Sequence, residues 1–223
     1  MPVFLYAVPE GEPAVEWKVE SIYSGEYVLG CGKDQDICKG DEFYLLSEEG
    51  SRNGKLYAVR VTDDLTFARA AYSDRRIMAG DSIERIKMAG FGTRLYCDYI
   101  FGENALCCGA YQEYFRGFLA FRPVAGIEYA DTGSGLMNLY GGLRTMHRFG
   151  RFDVSALLTV GRGCVDGDFC YSGGSMKLTA DYPLGDHILF SGECGYTSWL
   201  PDHDDERDEI SGFLLGCGIT VRF

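Results

Sequence analysis

No run of about 18 apolar residues occurs in this 223-residue sequence, which excludes a membrane-spanning helix and leaves strands as the other way through a bilayer. Basic residues are in deficit: 21 Lys and Arg stand against 33 Asp and Glu, a formal net charge of -12 with a pI near 4.7. That balance argues against a nucleic-acid binder, which needs cations to neutralise phosphate. Proline is scarce, at 6 residues, while 46% of the chain is hydrophobic and 14% aromatic, too apolar for a disordered chain. The three histidines (His147, His187, His203) are not at ligand spacings and no C-x-x-C pair is present, so the usual zinc patterns are missing. What is abundant is glycine, tyrosine and phenylalanine (30, 15 and 14 residues), the composition of β-strands separated by tight turns.

The nine cysteines are an odd number. Cys31 with Cys38 and Cys164 with Cys170 form local pairs with Gly and Asp between them. Each pair can close a short loop in an oxidising compartment; free thiols are the equal alternative. Cys97, Cys108, Cys194 and Cys217 fall at apolar strand phases and read as small hydrophobes. Met1 to Ala7 have the apolar character of the end of a secretory signal without its basic part. Residues 1–16 therefore read either as a leader remnant or as an ordinary N-terminal strand.

Residues 17–86 divide into five short runs: Val19–Leu29, Asp41–Ser47, Lys55–Thr62, Thr66–Tyr72 and Asp81–Ile86. Between or within them stand the turn signals Ser24-Gly25, Lys39-Gly40-Asp41, Arg52-Asn53-Gly54, Thr62-Asp63-Asp64 and Ala79-Gly80-Asp81. Five strands in this length predict a small closed barrel of SH3-like or OB-like size. The segments Ile37–Tyr44, Gly54–Ala58, Ala68–Ala70 and Ile77–Asp81, two of them holding hydrophobic-x-x-Gly-Asp turns, resemble small periplasmic β-barrel modules such as the C-terminal domain of flagellar assembly proteins. That resemblance implies a periplasmic module and brings no catalytic residues.

From residue 87 the strands lengthen. Eight are predicted, over 88–101, 104–114, 119–131, 136–149, 151–162, 175–184, 187–200 and 210–223, each long enough to cross a bilayer at a tilt. One phase of each is apolar: Phe91, Leu95, Cys97 and Tyr99 in the first, Phe152, Val154, Leu158 and Val160 in the fifth, Phe213, Leu215, Cys217, Ile219, Val221 and Phe223 in the last. Gln112, His147 and Ser198 are its polar intruders, and apart from Asp131 and Arg162 at strand ends it carries no Asp, Glu, Lys or Arg. The opposite phase holds Arg94, Asp98, Glu113, Arg122, Glu128, Arg144, Asp153, Lys177, Asp181, Glu193 and Arg222, six acids and five bases.

Alternation alone does not say which phase faces inward. Three features favour an inside-out barrel. Aromatics of the apolar phase collect at strand ends, Tyr99, Phe101, Tyr129, Tyr196 and Phe213 above and Tyr114, Phe149, Phe152, Tyr182 and Phe223 below, as interfacial girdles do. Connections at the lower end read as short, while those above include the longer Arg162–Gly174 and Pro201–Glu209. The chain also ends in a strand closing on Phe223. Its Phe213, Leu215, Ile219, Val221 and Phe223 resemble the C-terminal signal read by the outer-membrane assembly machinery of Gram-negative and spirochaetal barrels. Residues 87–223 thus resemble an eight-stranded outer-membrane barrel of the OmpX/OmpW size class. The expected fold is all-β, a small SH3-like barrel followed by an antiparallel transmembrane barrel. The resemblance implies the outer membrane of a diderm bacterium, an N-terminal domain in the periplasm, and partners among outer-membrane lipid, the assembly machinery and a periplasmic or host-surface protein.

An eight-stranded barrel is just wide enough to be filled by side chains, so the inward charges read as a salt-bridge network. His147, His187 and Ser198 assemble no Ser/His/acid cluster; neither catalytic residue, cofactor nor metal is expected. The acidic stretch 201–209 lacks EF-hand spacing and reads as a solvated surface loop. The leading expectation is a non-enzymatic outer-membrane protein that anchors a periplasmic module and displays surface loops. The alternatives are a narrow channel or hydrophobic-solute transporter, and a soluble two-domain ligand-binding β-barrel protein.

Overall fold

The computed structural model of the protein describes residues 17–86, 88–115, 121–133, 135–149, 152–165, 168–202 and 208–223. The expected leader at residues 1–16 and most of the acidic loop, 203–207, lie outside the described residues.

The N-terminal part is a closed barrel of six strands: β1 (Trp17–Tyr23), β2 (Glu26–Leu29), β3 (Glu42–Leu46), β4 (Arg52–Val61), β5 (Thr66–Ser73) and β6 (Ser82–Ile86). The order round it is β1-β2-β5-β4-β3-β6. The sixth strand comes from the run 19–29, which is a hairpin. Ser24 and Gly25 both take positive φ, 51° and 82°, the two-residue turn whose twist matches paired strands. Alternate side chains of these strands, with Val19, Leu29, Phe43, Leu45, Leu56 and Ile83 at its centre, form one buried core. Each fully buried side chain of this size contributes about 1.5–3 kcal/mol.

The second barrel has eight strands: β7 (Phe91–Phe101), β8 (Ala105–Tyr114), β9 (Phe121–Ala130), β10 (Leu136–Phe149), β11 (Phe152–Val165), β12 (Asp168–Pro183), β13 (Ile188–Pro201) and β14 (Ile210–Arg222). Each is antiparallel to the next and β14 closes on β7. The stagger can be followed directly. A row of paired residues leaves β14 at Val221 and passes through Thr93, Gln112, Ala125, Gly141, Val160, Gly174 and Ser198. It re-enters β14 at Ser211, ten residues from where it left. A shear of this size in an eight-stranded barrel tilts the strands by about 40°. Inside, Gly109 is required by close approach: a Cβ there would stand 2.5 Å from the Tyr96 hydroxyl.

Two sequence expectations are corrected. The stretch Arg162–Gly174 is not a loop but the extended tip of the β11–β12 hairpin, because strand pairing continues past Arg162↔Ser172 to Val165↔Asp168. The upper connections 102–104, 131–135 and 166–167, of three, five and two residues, then fall within the span of the lower ones at 115–120, 150–151 and 184–187, of six, two and four, and only 202–209 stands out. The disulfides also differ. Cys31 and Cys38 are free thiols, and Cys164 and Cys170 are not joined to each other. Cys164 lies opposite Phe169, and Cys170 is the extra residue of a bulge. The bridge that is present links Cys97 to Cys108, which face one another directly across β7 and β8.

Candidate functional site

The outer wall of the second barrel is predominantly apolar between its two ends. Leu95, Leu106, Ile127, Leu143, Leu158, Val160, Met176, Leu178, Leu215 and Ile219 are all exposed. Among the described outward positions only Arg162, at the upper end of β11, is charged, and it pairs with Asp202 at 2.8 Å. Every one of the ten aromatics at strand ends is exposed, Phe213 to 70%. The two bands they form are separated by eight residues on β9, from Phe121 to Tyr129, and by ten on β14, from Phe223 to Phe213. At about 3.3 Å per residue and a tilt of about 40°, the belt between them is roughly 20–25 Å high.

The lumen is the inverse. The eleven charges predicted for the inward phase are all buried, Arg94 and Asp98 completely. Six of them form one chain. Arg94 donates to Asp181 at 3.0 Å and to Glu193 at 2.6 Å. Arg144 donates to Asp181 and Glu113, and Arg122 donates to Glu113 at 2.6 Å. Arg122 and Arg144 are direct cross-strand neighbours, a repulsive placement that the shared Glu113 carboxylate relieves by accepting from both. Higher up, Lys177 donates to Asp98 at 2.5 Å and lies 3.9 Å from the Tyr96 ring. Glu128 accepts from Tyr96 at 2.7 Å and Asn138 at 2.9 Å. Buried ions at this density are tolerable because each meets an opposite charge or a hydrogen-bond donor.

Both ends of the lumen are closed. At the upper end, Ile100, Leu136, Tyr171, Trp199, Ile210 and Leu214 gather into a buried apolar cluster. At the lower end the N-terminal barrel supplies the closure. Glu42 of β3 accepts from Arg148 at 2.7 Å and from Arg222 at 3.5 Å, and its other oxygen meets Lys55 at 2.6 Å. Asp153 binds the same two arginines, at 2.8 and 3.4 Å. Arg148 also lies 4.9 Å from the Tyr57 ring, and Arg52 reaches Asp186 at 3.1 Å. Burial acts to raise the pKa of Glu42, but Arg148, Arg222 and Lys55 outweigh it and hold the carboxyl well below the ordinary carboxylate range. A small cleft remains at this junction, edged by Tyr72, Pro183, Asp186 and Leu189.

No protein-family model and no curated protein matches this chain. A solved structure described as "De novo design of transmembrane beta-barrels" is similar in backbone, with a TM-score of 0.47 and 11% sequence identity, over 62% of this chain and 98% of that one.

The structure thus brings Arg94, Glu113, Arg122, Arg144, Asp181 and Glu193 into one network, pairs Lys177 with Asp98 and Asp153 with Arg222, and leaves Glu128 to neutral donors. Several residues of the site lie outside the sequence expectations, Arg148 and Glu42 chief among them. Arg148 shares the inward phase with Arg144 four residues earlier and was legible on that ground. Glu42 carried no local signal, since its partner Arg148 is 106 residues away. The polar residues weighed for catalysis stay apart: His147 packs outward on Phe149 at 4.6 Å, His187 meets the Arg222 carbonyl and Ser198 donates to Glu209 at the other end. Among the described residues no group of three or more His, Cys, Asp or Glu is placed to hold a metal. A lipocalin-like soluble carrier needs an apolar interior, and the middle of this one is ionic.

Proposed function

We propose that the protein is a non-enzymatic outer-membrane β-barrel protein that fixes a small β-barrel module against its periplasmic mouth. One observation carries this reading: the wall exposes Leu158, Leu178 and Leu215 while Arg94, Arg144 and Lys177 are buried, the reverse of what water selects and what a lipid-facing barrel needs. The belt height, close to the ~25 Å apolar band of such barrels, supports it. So does the alternation along β14, which turns Phe213, Leu215 and Ile219 outward. The chain enters the barrel at the same end where β14 finishes, so the module and that terminus share one side, assigned to the periplasm. The ion-pair network and the two closures favour a filled barrel over a narrow channel.

The test is migration on SDS gels before and after boiling, on protein extracted with detergent from a membrane fraction. A folded barrel that resists SDS and shifts on boiling is expected, with silence in planar bilayers. A protein that is soluble without detergent and unshifted by heat overturns the reading.

A further inference from the structure

We propose that Cys217 is a second disulfide partner for Cys97, giving the barrel a covalent form in which its first and last strands are joined. Cys97 has a cysteine directly opposite it on both sides: Cys108 on β8 and Cys217 on β14. All three share the outward phase. Cys97 is bonded to Cys108 with their Cα atoms 4.2 Å apart, the close type of antiparallel pair. A strand residue makes the close type with one neighbour and the wide type, about 5.5 Å, with the other. The wide spacing also lies within the range a disulfide spans, and Cys217 is an exposed free thiol. No other free cysteine has this placement: Cys194 faces Leu215, and Cys107 points into the lumen opposite Asp98 and Ala130.

The location gives the pairing its meaning. Every other pair of neighbouring strands in this barrel is consecutive in the chain, whereas β7 and β14 are its ends and have no covalent link between them. A bond between Cys97 and Cys217 converts the barrel into a covalent ring. The present bond spans a sequence separation of only 11 and leaves the seam open.

The exchange needs no oxidant. The Cys217 thiolate attacks the Cys97 sulfur, the Cys97–Cys217 bond forms, the Cys97–Cys108 bond breaks, and the electron pair leaves on Cys108, which takes up the proton that Cys217 released. One disulfide and one thiol are present before and after. A thiolate is disfavoured in apolar surroundings, so on the reading of this wall as lipid-facing the step runs while the strands are still in water, during assembly. Insertion then traps whichever isomer each molecule holds.

The experiment folds the full chain into detergent micelles in a glutathione redox buffer, blocks thiols with N-ethylmaleimide, and separates boiled, unreduced samples on SDS gels with mass mapping of linked peptides. Wild type is expected to yield both linkages. Cys108→Ser should move the chain to a faster-running ring that reductant abolishes, and Cys108→Ser with Cys217→Ser should lack it. Wild type holding only the Cys97–Cys108 linkage, with Cys97 and Cys217 both alkylated in Cys108→Ser, overturns the proposal. If Cys108→Ser does not fold, the wild-type map decides alone. The heat shift of unboiled wild type reads the lipid-facing assignment separately: a shift without the Cys97–Cys217 linkage defeats this inference only.

Discussion

Replacing Leu178 with arginine is expected to cost about 2–4 kcal/mol of barrel stability in a bilayer, and replacing Leu184 with arginine no more than about 1 kcal/mol. The two leucines are similarly exposed, 56% and 64%, and both extend the outward phase of β12. Only depth separates them. Leu178 is four residues above Tyr182 of the lower aromatic band, about 10 Å for strands rising about 3.3 Å per residue at a tilt of about 40°, which places it near the middle of the belt. Leu184 lies two residues beyond Tyr182, outside the belt. In water both substitutions would fall within about 0.5 kcal/mol of neutral, as surface changes do. The measurement is equilibrium guanidinium unfolding in phospholipid vesicles, followed by the fluorescence of Trp199, which is buried in the upper cluster. Equal small costs for the two variants would show that the wall does not face hydrocarbon.

Lys177→Met leaves the Asp98 carboxylate buried without its cation and should cost about 3–5 kcal/mol, largely recovered by adding Asp98→Leu; the same unfolding experiment reads it, and a cost under 1 kcal/mol would contradict the closed network. Glu42→Arg sets a fourth cation against Arg148, Arg222 and Lys55, so hydrogen exchange in β3 and at the lower end of β10 should rise. Arg148→Glu in the same chain should restore protection, and failure of that rescue would remove Glu42 as the contact holding the module. Because the folded Glu42 carboxyl sits well below its ordinary 4.5, its contribution is complete above that pH and is lost only as pH falls through the lowered value. The module should therefore stay docked from pH 7 to pH 4, and release at pH 5 by hydrogen exchange would refute this. Burial pushes the Cys31 thiol up to about 11 from 9.0, so Cys31 should resist alkylation at pH 8 until denaturant is added. Its stabilising effect holds below about pH 9 and is lost as pH rises towards 11; labelling at the rate of an exposed thiol would contradict the burial.

Much of the site was legible because a strand's side-chain period is two. The phase that carries Arg94, Asp98 and Lys177 and the phase that carries Leu95, Cys97 and Leu178 separate on inspection, and Arg148 belongs to the first by the same count. The Cys97–Cys108 bridge was also within reach. Once the hairpin is centred between Gly102 and Glu103, residues equidistant from that point are opposed, and Cys97 and Cys108 are such a pair, whereas nearness in the chain pointed to Cys164 with Cys170. The glycines of 161–174 misled because glycine, read locally, signals a turn; here it serves within paired strands of a crowded wall.

Sequence alone determined the eight long strands up to their ends, their two phases and the chemical contrast between them, since these follow from backbone geometry residue by residue. Which phase lines the interior was decided only by closure of β14 on β7, because the alternation is identical whether a sheet curls one way or the other. The pairing of particular charges was likewise tertiary. Glu113 serves Arg122 and Arg144 through cross-strand register, and Glu42 meets Arg148 and Arg222 only when one folded barrel rests on the mouth of another. Coulombic attraction depends on distance in space, which chain order does not record.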